Sequence, residues 1–150
     1  GGFHRAEALR AGLEHALGET VELAMLGKHR KGGVVRTGVF VGDVAGRTAV
    51  IVDDLIVTGT TLIHAAEACR ARGATAVHAM ATHAVFGAAT AEVLARPALD
   101  GIVVTDTVSP TRIELGAARA KIEVVSIAPL LARALHALHH EESLAPLHEV

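Results

Sequence analysis

Continuous apolar runs alternate along the chain with segments whose apolar residues recur every three or four positions, a pattern that predicts alternating strands and helices. The predicted helices span residues 4–17, 60–72 and 88–94, and a last helix starts near Pro129. The predicted strands span residues 20–26, 48–52, 76–83, 102–104 and 122–125, and residues 34–41 are predicted as a hairpin arm. Residues 27–33 are polar and bounded by glycines, which predicts a mobile loop. This order indicates an α/β fold with a doubly wound, mostly parallel sheet flanked by helices.

Composition narrows the class of protein. Hydrophobic residues make up 51% of the 150 residues but aromatic residues only 2%, so the core of a single domain is built from Val, Leu, Ile and Ala. A net charge of −2 and so few aromatic rings argue against a surface that binds nucleic acid. No apolar run approaches the roughly 20 residues that span a bilayer, so no membrane segment is predicted. The one cysteine, Cys69, is predicted to be buried and fits a reducing, cytoplasmic compartment.

The most informative segment is the acidic pair Asp53-Asp54, which follows an apolar strand and precedes the loop residues Thr58, Gly59, Thr60 and Thr61. Two carboxylates can accept hydrogen bonds from vicinal sugar hydroxyls, and they can bind Mg²⁺ directly or through its waters. The loop leads into a helix N-terminus, where free N–H groups attract an anion. The sequence therefore predicts a site for a phosphorylated sugar and a divalent metal. The alternative is a plain strand-to-helix turn in which Asp and Thr only cap the helix.

At these residues the chain resembles a known family. Residues 49–61 are similar to the loop that binds phosphoribosyl pyrophosphate (PRPP) in ribose-phosphate pyrophosphokinases (PRPP synthetases) and in type I phosphoribosyltransferases. Residues 41–47, 81–83, 103–107 and 124–131 resemble further stretches of the synthetases, and Val57 stands where synthetases often carry a third acidic residue. The likeness extends over nearly the whole chain but covers only the C-terminal half of a synthetase.

The resemblance implies a reaction and a set of residues. Ribose 5-phosphate would attack the β-phosphorus of Mg-ATP, giving PRPP and AMP. Asp53 and Asp54 would bind the ribose hydroxyls and, through its waters, Mg²⁺, while residues 58–61 would bind the 5-phosphate. Lys28 and Arg30 match the Lys and Arg of the family's catalytic loop and would neutralise the transferring phosphates, whereas the alternative for them is a solvated basic loop.

The resemblance also implies a domain organisation. Residues 1–150 would form one C-terminal domain, the family's N-terminal ATP-binding domain would be absent, and the chain alone would bind ribose 5-phosphate without turning over ATP. The full-length family proteins are homo-oligomers, dimers or hexamers. Two other functions stay open: a type I phosphoribosyltransferase that uses PRPP, and a non-catalytic regulatory subunit. His83, near a predicted strand end, is a further candidate ligand contact.

Overall fold

A four-stranded sheet forms the centre of the fold in the computed structural model. The structure describes residues 2–31, 34–110 and 113–147, with the backbone alone for residues 28–31 and 34–38. In chain order the helices and strands are α1 (Gly2–Leu17), β1 (Met25–Lys31), β2 (Val34–Val41), β3 (Thr48–Leu55), α2 (Thr60–Arg70), β4 (Ala76–His83), α3 (Thr90–Leu94), β5 (Gly101–Thr105), β6 (Ile122–Val125) and α4 (Ala128–His139). Two 3₁₀ helices, Gly116–Lys121 and Ala145–Leu147, complete the described structure.

All pairings within the central sheet are parallel, in the order β3-β4-β5-β6. The register runs from Thr48 opposite Ala76 to Leu55 opposite His83. The carboxyl ends of the strands therefore meet at one edge of the sheet, where open α/β sheets bind ligands. The α/β fold with a parallel sheet flanked by helices is confirmed.

The core lies mainly on one face of this sheet. Alternate residues of β4 are buried, namely Val77, Ala79 and Ala81, and α2 buries Leu62, Ile63, Ala66 and Cys69. Cys69 is buried as predicted, and burial raises the pKa of its thiol. α2 covers this densely packed face, and α2 and its neighbours therefore hold in place the sheet edge that carries the site.

The first and last helices contribute little to this core. None of the residues of α1, all of which the structure describes, is buried. In α4 only Ala137 of the 12 described residues is buried, while Leu131 and Leu135 are 51% and 66% exposed. Among the described residues, no helix has the length and apolar character that crossing a bilayer requires.

The basic segment is not a loop where the structure describes it, so that prediction is wrong for residues 27–31. These residues belong to β1, which pairs antiparallel with β2 as the predicted hairpin arm, with Lys28 opposite Thr37 and Arg30 opposite Val35. Pairing of the two strands satisfies backbone N–H and C=O groups, and this requires no particular side chains, so a polar segment can form a strand. The register of the pairing shifts between Leu26 and Lys28. Gly32 and Gly33, the rest of the predicted loop, lie outside the described residues.

The strand predicted over residues 20–26 is also largely wrong. Only Met25 and Leu26 of that range are in a strand, and the free edge of β3 has no partner there among the described residues. The remaining predictions are confirmed within a few residues, and β4 and β6 have the predicted bounds. The most useful difference is that β3 continues through Leu55, which places both aspartates inside the strand.

Candidate functional site

The acidic pair lies in the last three residues of β3. The Asp54 N–H donates to Asp53 Oδ1 at 3.0 Å, and the Leu55 N–H donates to Asp54 Oδ1 at 2.9 Å. Both residues are half-buried. Successive strand residues point to opposite faces of the sheet. At this sheet edge, however, each carboxylate bends toward the backbone N–H of the residue that follows it.

Asp54 is held in its charged form. Its pKa lies below the usual value, first because of a side-chain hydrogen bond with Asp53, then because of its own and the Leu55 backbone N–H and the charge of Arg5. Arg5 in α1 lies 3.3 Å from Asp54 Oδ2. Since the Arg5 and Asp54 side chains are 40% and 51% exposed, a ligand can displace this ion pair at small cost. Arg5 was not among the predicted site residues, because it is 49 positions away along the chain and is brought close only by the packing of α1 on β3.

The loop after β3 has a shape that requires glycine. Gly59 has φ 75° and ψ −8°, in the left-handed region that side chains disfavour. A Cβ on Gly59 would lie 2.8 Å from Leu94 Cδ2, so α3 packs directly against the loop backbone. The hydroxyls of Thr58, Thr60 and Thr61 are on exposed residues at the start of α2. The loop thus presents hydroxyl and backbone N–H donors to solvent while its glycine is buried.

A buried threonine anchors this loop from below. Thr90 is fully buried, and its hydroxyl donates to the Val57 carbonyl and accepts from the Gly87 N–H, the latter at 2.9 Å. The Gly87 N–H also donates to the Val57 carbonyl at 3.1 Å. At the other end of the loop, the Ile56 N–H donates to the His83 carbonyl at 2.9 Å. Sequence reasoning missed Thr90, because nothing local distinguishes it from an ordinary first residue of a helix.

Two concave regions meet at Asp53. A pocket of about 160 Å³ is lined by Asp53, by residues 55–59 and by Thr61 and Leu62. A larger cavity of about 1060 Å³ extends along β3 between α1 and α2 and is also bordered by Asp53 and Asp54. Of the predicted residues, the smaller pocket brings together Asp53, Thr58, Gly59 and Thr61, whereas Asp54 borders only the larger cavity and Thr60 borders neither. The predicted residues Lys28 and Arg30 lie on β1, and their side chains are outside what the structure describes.

The donor set fits one class of metal. Within the described ranges, no three His, Cys, Asp or Glu side chains are grouped so that they could hold an ion by themselves. Mg²⁺ does not need such a group, because it binds proteins through one or two carboxylates and completes its shell with waters and substrate phosphates. The adjacent oxygen donors of Asp53 and Asp54 fit Mg²⁺ in combination with a phosphorylated ligand.

Comparison with known proteins gives consistent matches. A family model described as the phosphoribosyl synthetase-associated domain matches residues 14–149. The ribose-phosphate pyrophosphokinases of Haemophilus ducreyi and Pasteurella multocida are 41% and 42% identical to this chain over 148 residues, which is 98% of this chain and 45% of each relative. The crystal structure of the phosphoribosylpyrophosphate synthetase from Mycobacterium smegmatis superposes with a TM-score of 0.69 at 33% identity, covering 87% of this chain and 40% of that one. The chain spans less than half the length of these relatives.

Proposed function

Because this chain belongs to the phosphoribosyl synthetase-associated domain family, we propose that it supplies the ribose 5-phosphate site of a ribose-phosphate pyrophosphokinase. One observation carries the proposal: Asp53 and a glycine-shaped loop at a helix N-terminus line the same pocket, and Asp54 follows Asp53 on the border of the adjoining cavity. The names of the similar proteins favour a synthetase over a phosphoribosyltransferase. Residues 1–150 then correspond to the C-terminal domain of such an enzyme, which acts in the cytoplasm.

The acidic pair and the loop bind two parts of the sugar. Asp54, held in its charged form, and Asp53 accept hydrogen bonds from the vicinal ring hydroxyls. The 5-phosphate occupies the loop, where Thr58, Thr60 and Thr61 donate hydroxyl groups and the first N–H groups of α2 lack intrahelical partners. Binding both ends of the sugar fixes the direction in which its anomeric hydroxyl points.

In the whole enzyme, the anomeric oxygen forms a bond to the β-phosphorus of ATP while the bond from that phosphorus to the α-phosphate oxygen breaks. AMP leaves, the sugar hydroxyl loses its proton, and PRPP is the product. Positioning and charge neutralisation supply most of such catalysis. Mg²⁺, held by Asp53 and Asp54, would neutralise phosphate charge. We assign Lys28 and Arg30 on β1 the same task at the transferring group, in a homo-oligomeric enzyme.

A binding titration tests the proposal. Calorimetry with ribose 5-phosphate and Mg²⁺ should give saturable binding for the native chain, and Asp53→Asn with Asp54→Asn should weaken it at least about tenfold, because two charge-assisted acceptors are lost. The control removes two carboxylates elsewhere, Glu67→Gln with Glu123→Gln, and should leave the affinity unchanged. A folded native chain that does not bind the sugar phosphate, or a double aspartate variant that binds it as well as the native chain, would refute the proposal.

A further inference from the structure

A cluster of hydroxyl groups lies at the carboxyl ends of β4 and β5, the two strands that follow β3 in the order of the sheet. His83 Nδ1 is 2.9 Å from Thr107 Oγ1. The hydroxyls of Thr105 and Thr107 are 2.6 Å and 2.9 Å from the Thr82 carbonyl oxygen and 2.8 Å from each other. These contacts join the ends of two strands around one imidazole ring.

Counting hydrogens assigns the ring its tautomer. The Thr82 carbonyl only accepts, so the single proton of Thr105 Oγ1 is used on it at 2.6 Å. Thr107 Oγ1 must then donate its proton to the Thr82 carbonyl or to Thr105 Oγ1. If it donated to His83 instead, its lone pairs would face those of both oxygens, at 2.9 Å and 2.8 Å, with no proton between them. Thr107 therefore accepts from His83, so Nδ1 carries the proton and Nε2 keeps its lone pair.

The position of the ring relative to the sugar site gives this lone pair a use. His83 is the register partner of Leu55, and Asp53 is paired with Ala81, so His83 and Asp53 lie on the same face at the same sheet edge. Neighbouring strands are about 4.8 Å apart. His83 is half-buried, and within the described residues no protein group is hydrogen-bonded to Nε2. The loop that would take the phosphate connects β3 to α2, whereas His83 is the last residue of the neighbouring strand β4.

We propose that His83 is an additional sugar-binding residue whose Nε2 accepts a hydrogen bond from a ring hydroxyl of the sugar phosphate, with Thr107 as the positioning residue that fixes its tautomer. This assignment rests on the proposed function. It adds a neutral acceptor to the two carboxylates, and a neutral acceptor discriminates hydroxyl-bearing sugars without adding to the negative charge that a phosphorylated ligand must approach.

Two substitutions separate this role from a structural one. His83→Asn places an amide N–H where Nδ1 lies and keeps the bond to Thr107, but it has no atom at the position of Nε2. His83→Gln places its amide group near the position of Nε2 and loses the bond to Thr107. If the ring only stabilises the strand ends, His83→Asn should behave like the native chain and His83→Gln should be the damaged variant.

The experiment combines titration with NMR. Calorimetry with ribose 5-phosphate should show His83→Asn binding about three- to tenfold more weakly, the effect of one lost hydrogen bond, with His83→Gln closer to the native chain. The ring-nitrogen shifts, recorded where the ring is neutral, should show the Nδ1–H tautomer, and Thr107→Val should shift the population toward Nε2–H. His139→Asn on the exposed end of α4 is the control and should change nothing.

The outcomes distinguish this inference from the function on which it rests. Suppose that the native chain binds the sugar phosphate and that replacing the two aspartates abolishes this binding. If His83→Asn then binds as tightly as the native chain, His83 has no role in binding and only this inference fails. A dominant Nε2–H tautomer in the native chain also overturns it. If the folded native chain does not bind the sugar at all, both fail together.

Discussion

Helices α2 and α4 have 11 and 12 residues but opposite environments. Four apolar residues of α2 are buried, with Ile63 completely inaccessible. By contrast, four leucines of α4 are 47–66% exposed, namely Leu130, Leu131, Leu135 and Leu138. Both helices carry an apolar stripe in the sequence. The difference shows that the fold places its densest packing beneath the loop that follows β3, and that α4 lies outside this core in the described structure.

The largest expected effect comes from testing this contrast directly. Ile63→Ala should lower the free energy of unfolding by about 2–5 kcal/mol, because it opens a cavity in a site that cannot collapse. Leu135→Ala, which is the matched control on an exposed side chain, should change it by no more than about 0.5 kcal/mol. Urea unfolding followed by circular dichroism measures both. Equal losses would mean that α4 is packed as tightly as α2 in solution.

A smaller effect is expected at the anchor of the loop. Thr90→Val keeps the shape of the buried side chain but removes its hydroxyl from the Val57 carbonyl and the Gly87 N–H. The Gly87 N–H still donates to the Val57 carbonyl at 3.1 Å, so the variant loses two hydrogen bonds of about 0.5–1.5 kcal/mol each without leaving either group unpaired. The unfolding free energy should therefore fall by about 1–3 kcal/mol. Thr90→Ser, which retains the hydroxyl, should lose less. If the valine variant were as stable as the serine variant, the anchor would not hold the loop.

The smallest effect concerns the opposite end of β4, and it depends on pH. The Asp100 carboxylate accepts a hydrogen bond from the Val77 N–H at 2.7 Å and forms an ion pair with Arg70. The pKa of Asp100 is held below its usual value, first by this backbone hydrogen bond and then by the charge of Arg70. A carboxylate with a lowered folded-state pKa stabilises the protein above its unfolded pKa, near 3.9, and that contribution is lost as the pH falls through the folded value.

Asp100→Asn should therefore cost at most about 1 kcal/mol at neutral pH, because the Asp100 side chain is 42% exposed. Its unfolding free energy should fall less than that of the native chain when the pH is lowered from about 5 to 2. Thermal unfolding across this pH range measures the difference, and Glu123→Gln on an exposed residue is the control. Parallel curves for Asp100→Asn and the native chain would contradict the assignment.

The fold followed from the sequence where local pattern and tertiary packing agree. The bounds of β4 and β6 were predicted correctly, because buried residues alternate along the central strand β4 and three of the four residues of the edge strand β6 are β-branched. The pattern failed at residues 20–24, which are rich in apolar residues yet form no strand in the described structure. It also failed at residues 27–31, whose polar sequence gives no hint of the backbone pairing with β2.

The site was predictable in its residue types but not in its supporting contacts. The acidic pair and the threonine-rich loop are contiguous in sequence, so the sequence alone predicts that they lie close together. Thr90 reaches a carbonyl 33 residues away, and His83 reaches Thr107 across 24 residues. Such contacts depend on which strands become neighbours, and one sequence does not encode that in any local pattern.

The hydroxyl of Thr90 beneath Val57 and the leucine side chain against Gly59 have a kinetic consequence. A loop already braced in its final shape needs little ordering when an anion arrives, so the entropy cost of association stays small. Capture of a phosphate group should then be limited by diffusion and by displacement of the Arg5 guanidinium rather than by a slow rearrangement of the backbone.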